Sequence, residues 1–188
     1  MIEREVKLPF DDPPAARHAI QAAGAAPLRC RRLQEDALFD TDDESLRRRG
    51  CALRVRSESG RSLLTFKGPV HKGPFKTRDE HETVVSDGEV LAKVLEALGL
   101  HVWFRYQKFR EEFAVADATI ALDETPIGTF VEIEGGEEAI AQMTRALGRT
   151  PADYLLDSYR SLFLQRREAI GLTGADMMFA DEWSRRSS

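Results

Sequence analysis

Residues 2–8 read Ile-Glu-Arg-Glu-Val-Lys-Leu, and residues 131–134 read Val-Glu-Ile-Glu. Side chains alternate faces along a strand, so residues two apart share a face. In the first stretch one face carries Glu3, Glu5 and Lys7, and the other carries Ile2, Val6 and Leu8. In the second, Glu132 and Glu134 oppose Val131 and Ile133. The same alternation puts Arg54 and Arg56 opposite Leu53 and Val55, and Lys67 on one face with Thr65. It also groups Lys76, Arg78, Glu80 and Glu82, pairs Lys108 with Arg110, and leaves Asp123 on a short strand of its own. A single wet sheet face explains any one of these strands. Nearly every strand repeating the pattern, with ions of both signs and few neutral polar residues, points to a sheet curled closed around a charged lumen. The apolar faces then turn outward and require helices to cover them.

The rest of the chain supplies those helices. Asp11-Asp12-Pro13-Pro14 reads as a helix start, with proline in the first turn. Ser86-Asp87 precedes Val90, Leu91, Val94, Leu95 and Leu98, which follow the helical period. Residues 137–147 read as a further helix, and Thr150-Pro151-Ala152-Asp153 as the cap of a last one running to about Glu168. About eight strands are expected: Ile2–Leu8, Arg32–Asp40, a hairpin of 51–57 and 62–67, Phe75–Val85, Val102–Val115, Thr119–Asp123 and Gly128–Glu134. The fold class is therefore α+β, a mainly antiparallel sheet or closed barrel with surrounding helices. Residues 1–170 form one domain, and 171–188, lacking periodicity, are expected to be a poorly ordered tail.

Composition excludes several classes. The chain has 188 residues, enough to bury a core without staples. No run of 18 or more uncharged apolar residues is present, so no membrane partner is expected. The first residues, Met1-Ile2-Glu3-Arg4-Glu5, lack an apolar signal core, and a cytoplasmic location is expected. The net charge of −5 argues against a nucleic-acid partner, despite Arg29-Cys30-Arg31-Arg32 and Arg47-Arg48-Arg49. Two cysteines and four scattered histidines cannot make a cysteine-based zinc site. A bound metal would fall to carboxylates, which suit a hard ion such as Mg²⁺ or Mn²⁺.

A charged lumen needs a partner, because ions crowded in a partly dry tunnel are costly unless paired. Lys7, Arg54, Arg56, Lys67, Lys76, Arg78, Lys108 and Arg110 suit a polyanion, with arginine forks for phosphate oxygens. Glu3, Glu5, Glu80, Glu82, Asp123, Glu132 and Glu134 would repel bare phosphate, but are accounted for if divalent cations bridge to it. Cations together with metal-binding carboxylates are what a triphosphate site requires.

These residues resemble a known family. Glu3-x-Glu5-x-Lys7 resembles the ExExK signature of the CYTH superfamily, the triphosphate tunnel metalloenzymes. Gln34 to Thr41, Gly50-Cys51-Ala52-Leu53-Arg54-Val55-Arg56 and Leu64-Thr65-Phe66-Lys67-Gly68 resemble the strands that follow in that family. Lys76-x-Arg78-x-Glu80-x-Glu82, Lys108-x-Arg110, Leu122-Asp123 and Gly128-x-Phe130-Val131-Glu132-Ile133-Glu134 come next, in the family's order. Leu38 stands where the family usually has an aromatic residue. The resemblance spans residues 1–165. It implies an eight-stranded antiparallel barrel, a tunnel open at both ends, and Mg²⁺ or Mn²⁺ as cofactor.

By resemblance, Glu3, Glu5, Glu132 and Glu134 bind a metal, with Asp123 and Glu82 serving a second ion. Lys7, Arg54, Arg56, Lys67, Arg78, Lys108 and Arg110 are expected on phosphate oxygens, with Lys76 beside them, and Lys7, Arg54, Arg56 and Lys67 in the catalytic set. The substrates implied are ATP, thiamine triphosphate or inorganic triphosphate, and related proteins are often homodimers. The first reading is a triphosphatase. The alternative is a class IV adenylate cyclase, whose Ser-Tyr segment Asp157-Ser158-Tyr159-Arg160-Ser161-Leu162 resembles. A non-catalytic polyphosphate or nucleotide binder ranks below both. Lys7, crowded by other cations, is expected to have a lowered pKa and to act as a base. Head-group contacts are expected from loop residues around His71 to Phe75.

Overall fold

The structure, a computed structural model, describes residues 2–71 and 73–180. Eight strands form a closed barrel: β1 (Ile2–Phe10), β2 (Ala26–Thr41), β3 (Ala52–Glu58), β4 (Arg61–Lys67), β5 (Lys76–Val85), β6 (Leu100–Val115), β7 (Ala118–Thr125) and β8 (Gly128–Gly135). Around the barrel they run β1-β5-β4-β3-β2-β6-β7-β8 and back to β1, every pair antiparallel. Closure gives every strand a neighbour on both sides and gives the wall an inside and an outside.

Register confirms the inside. Lys7 lies opposite Glu132, Glu3 opposite Arg78, Lys67 opposite Glu80, and Arg110 opposite Asp123. The alternate residues face outward into helices. Val6, Leu8, Ile120, Leu122, Val131 and Ile133 pack with Ile20 of α1 (Pro13–Ala22) and Ile140 of α4 (Glu137–Ala146). Phe39 and Val55 pack with Leu95 of α3 (Gly88–Ala97). Asp12 and Asp87 cap α1 and α3, accepting from the Ala15 and Val90 amides.

Three features differ from the sequence reading. β2 begins at Ala26 rather than Arg32, because its arginine-rich start still finds partners along β6, through register shifts at Pro27/Arg29 and Arg29/Arg32. The last helix is not continuous from Pro151. A 3₁₀ turn covers Pro151–Asp153, Leu155 pairs with the backbone of Lys7, and α5 (Tyr159–Arg166) starts where Ser158 accepts from the Ser161 amide.

The third difference is the tail. Up to Ala180, the last described residue, the chain does not fray. β7 pairs with β6 only over residues 109–115, which leaves the start of β6 unpaired on that side. Met177 fills the gap, donating to the Arg105 carbonyl and accepting from the Gln107 amide, and is fully buried. Phe179 packs on Phe109 with ring centroids 5.3 Å apart. This segment docks as one extended rung, which leaves no periodic signal in the sequence. Residues 181–188 of the expected tail lie outside the described residues.

α2 (Ser45–Arg48) is too short to hold itself and hangs on one carboxylate. Asp40, fully buried, accepts from the amides of Thr41, Leu46 and Arg47 at 2.9–3.0 Å and from the Arg47 Nε at 3.2 Å. Burial pushes its pKa up, but these hydrogen bonds outweigh burial and hold it below the usual value. A depressed carboxyl stabilises the fold above its unfolded pKa, and the gain disappears as pH falls through the folded one. Asp40→Asn is therefore expected to cost about 1–3 kcal/mol at pH 7. The deficit should shrink below about pH 4. Urea denaturation at the two pH values checks both statements.

Candidate active site

The barrel encloses a cavity of about 920 Å³. It is lined by fourteen of the fifteen charged side chains assigned to the lumen above: Glu3, Glu5, Lys7, Arg54, Arg56, Lys67, Lys76, Arg78, Glu80, Glu82, Lys108, Arg110, Glu132 and Glu134. Asp123 is the exception. It is fully buried behind the lining, gripped by Lys108 at 2.8 Å, by the Arg110 fork at 2.7 and 2.5 Å, and by the Tyr159 hydroxyl at 2.5 Å. Asp123 thus anchors the cations that do line the lumen. Glu82 sits nearer the rim, its side chain 39% exposed, and accepts from Thr65 at 2.8 Å.

The lining is an ionic lattice. Lys67 bonds both oxygens of Glu3 at 2.7 Å and reaches Glu80 at 2.6 Å. Lys76 pairs with Glu5, and Lys7 with Glu132 at 3.0 Å. Arg110 bridges Asp123 and Glu132. Arg56 and Arg54 both lean on Asp36, with Nε atoms at 2.8 and 3.4 Å. At the lower end, Glu58 accepts from Arg29, Arg32 and Gln34 at 2.7, 3.1 and 2.6 Å, and Glu112 pairs with Arg32 at 2.9 Å. Burial raises the Glu58 carboxyl, but these donors and charges outweigh it and bring its pKa to about 2.

The opposite end is partly filled. α5 packs Tyr159, Leu162 and Phe163 against Phe104, Tyr106 and Phe130, which share the lumen's parity. The Tyr159 ring lies 4.5 Å from the Lys7 ammonium and 4.8 Å from that of Lys108.

Electrostatics corrects one expectation. Lys7 faces Glu132 and Glu5 rather than cations. Burial lowers its pKa, but those carboxylates more than reverse this, and Lys7 stays protonated. Lys108 is the lysine that is depressed, to about 8, by burial and by Arg110 against the pull of Asp123 and Glu132.

Donor chemistry shows what the lattice lacks. The Nε–H groups of Arg54 and Arg78 are buried with no hydrogen-bond acceptor, which fits an added anion. Glu3, Glu5, Glu80 and Glu134 act on one another as like charges. Burial, then Glu5, raises the Glu3 carboxyl to about 7 despite Lys67, and the same two causes raise Glu134. Glu5 is brought to about 2, because Lys76 and its other cations outweigh burial. This carboxylate excess fits a hard divalent cation. Among the described residues no three acidic, histidine or cysteine side chains stand in ready ligand positions, and Glu3, Glu5 and Glu132 are each engaged by a lysine.

Strand parity finds the lining of β1, β3–β5, β6 and β8. It could also have found Asp36, which shares its face with Gln34 and Leu38 on β2. It could not find Tyr159, which comes from a helix, or Trp103, Arg47 and Arg160, which line the cavity from a bulge, a short helix and α5.

A closed antiparallel barrel whose lumen holds a lattice of lysines, arginines and carboxylates defines a tunnel protein for polyanions. Comparison with known proteins narrows the class: the CYTH domain model matches residues 1–159, and the chain belongs to that family. Its members are enzymes of triphosphate substrates and divalent metals. The chain is 30% identical over 148 residues to a protein of Methanocaldococcus jannaschii named "Putative adenylate cyclase MJ0240", covering 78% of this chain and 84% of that one. The PH1819 protein of Pyrococcus horikoshii superposes with a TM-score of 0.74 at 26% identity, over 88% of this chain and 99% of that one. The Hippeastrum protein HpAC1 has a TM-score of 0.65 at 18% identity, over 87% and 95% of the two chains, and is described as having a dominant triphosphatase activity. No helix among the described residues is long and apolar enough to cross a membrane.

Glu3 gives the site a measurable signature. A carboxyl raised in the folded state takes up protons on folding, so its contribution to stability is greatest below the unfolded pKa and is lost as pH rises through the folded one. Carbon-detected NMR titration should find the Glu3 midpoint near 7. Glu3→Gln should be more stable relative to the wild type at pH 8 than at pH 4. A midpoint near 4 would contradict the crowding described above.

Proposed function

We propose that the protein is a divalent-metal-dependent triphosphatase, hydrolysing the terminal phosphate of a triphosphate held along the barrel axis. The observation that carries the reading is the lattice itself: cations in excess of what Asp123, Asp36 and Glu132 neutralise, with unsatisfied Arg54 and Arg78 donors, beside a crowded carboxylate set. Arg54, Arg56, Arg78 and Lys67 bind phosphate oxygens and neutralise charge that develops at phosphorus. Lys7, Lys76, Lys108 and Arg110 hold the remaining oxygens, and Asp123 and Tyr159 fix Lys108 and Arg110 in place. Glu3, Glu5, Glu132 and Glu134 hold the metal, and Glu82 and Asp123 stand by for a second ion. Mg²⁺ or Mn²⁺ bound there supplies Lewis acidity and an activated water. Asp123 has to turn from its present partners for that role, whereas Glu82 already faces the cavity.

Adenylate cyclisation is the second reading, favoured by the name of the Methanocaldococcus jannaschii relative. It asks more of the site, since a group must take the proton of the ribose 3′-hydroxyl and Lys7 is held protonated. The two readings part on products. With Mg²⁺ or Mn²⁺, a panel of ATP, thiamine triphosphate and inorganic triphosphate should release phosphate. Glu132→Gln/Glu134→Gln should lose at least about a hundredfold in kcat/KM, as removal of a metal ligand pair predicts. Cyclic AMP with matching pyrophosphate would establish the cyclase instead, and metal-independent turnover would contradict both.

A further inference from the structure

One end of the cavity is built unlike the rest. Besides the two shifts at the start of β2, the register between β2 and β6 slips once more at this end: Leu38 faces Phe104 and Phe39 faces Val102, so Trp103 is an extra residue on β6. Strict alternation would turn Trp103 away from the lumen that Phe104 faces. The bulge brings it round, and both rings line the cavity with centroids 6.0 Å apart. Two guanidinium groups lie against the Trp103 ring, Arg47 at 4.1 Å and Arg160 at 4.8 Å. They come from α2 and from the first turn of α5, so three separate elements converge on one indole. Arg47 is neutralised by Asp40 at 3.2 Å and Glu44 at 2.8 Å. Arg160 has no carboxylate within salt-bridge distance among the described residues, and burial and Arg47 together lower its pKa. Leu38, Ala52 and Ser158 complete this wall of the cavity.

We infer that Trp103, with Arg47 and Arg160, forms a head-group platform at the mouth of the tunnel, selecting triphosphates that carry an uncharged planar ring such as a nucleobase. The inference rests on the reading of the tunnel as a triphosphate site and adds to it the class of head group. A flat ring can stack on the indole beside the Arg160 guanidinium, and its ring nitrogens and carbonyls can accept from that guanidinium. A permanently cationic ring meets two guanidiniums, one of them uncompensated, and gains nothing there. The bulge interrupts the β2–β6 ladder and brings one more side chain to the cavity wall.

The test is equilibrium binding by calorimetry, which needs no turnover. The probes are the β,γ-imido analogue of ATP and imidotriphosphate, with ribose 5-triphosphate and linear tetraphosphate as competitors. In the wild type the adenosine analogue should bind roughly tenfold tighter than imidotriphosphate, the size of one base stacked on an aromatic ring. Ribose 5-triphosphate, which has the sugar but no planar ring, should show no such gain. In Trp103→Leu and, independently, in the more exposed Arg160→Ala, the ratio of the two affinities should collapse toward one. The platform is overturned if ribose 5-triphosphate or tetraphosphate gains as much as the adenosine analogue, since charge or bulk alone would then account for the binding. It is also overturned if both variants leave the ratio intact. Failure of every probe to bind the wild type would overturn the tunnel reading itself, and the platform with it.

Discussion

Closure of the barrel is the constraint from which the rest follows. An open sheet would let Lys7, Arg54, Arg110 and Glu132 reach water from one face. Closed, the same alternation confines them, and an unpaired buried charge costs far more than a pair. The lattice answers this by engaging most of its cations with neighbouring carboxylates, as in Lys67 between Glu3 and Glu80 or Arg110 between Asp123 and Glu132. Such pairs add little net stability, and a well-packed apolar lumen would serve the fold as well. Their presence is therefore a statement about ligands: the lumen is kept ionic so that metal and phosphate can exchange into it.

The two ends of the lattice are finished differently. Below, Arg29, Arg32, Glu58 and Glu112 knit β2, β3 and β6 together with their own ion pairs. Above, α5 and the segment around Met177 seal the stretch of β6 that β7 does not reach, and Tyr159 becomes part of the cavity wall. The helices thus do two jobs. α1, α3 and α4 cover the outward apolar faces, whereas α5 shapes the inside. Hydrogen bonds from Asp123 to Tyr159 and the cations join that inserted helix to the charged wall, so packing at the mouth and orientation of Lys108 are linked.

How much of this was legible in the sequence follows from the physics of each element. Strand parity is a period-two signal carried by every residue, so the lumen-facing lysines, arginines and glutamates could be read directly. The closed barrel followed from charges on so many strands. Contacts that depend on a broken period could not be read: the bulge at Trp103, the single rung at Met177 and the interruption of the last helix at Ser158 each depend on tertiary partners. Asp123 was legible as a lumen-side acid but not as one buried behind its cations. Parity does not give the direction of the Lys7 pKa, because it shows which residues share the lumen, not which of them stand next to one another. Register does show that, and it sets Lys7 against Glu132.

The central claim is that the lattice opens to a metal ion and a triphosphate together. A crystal structure grown with Mn²⁺ and imidotriphosphate, with anomalous data to locate manganese, tests it most directly. The account predicts manganese inside the barrel against Glu3, Glu5, Glu132 or Glu134, and phosphate oxygens on Arg54, Arg56 and Arg78, with the lysine–glutamate pairs of the lumen rearranged. Manganese and phosphate found only on the outer surface, with the lumen pairs intact, would contradict it.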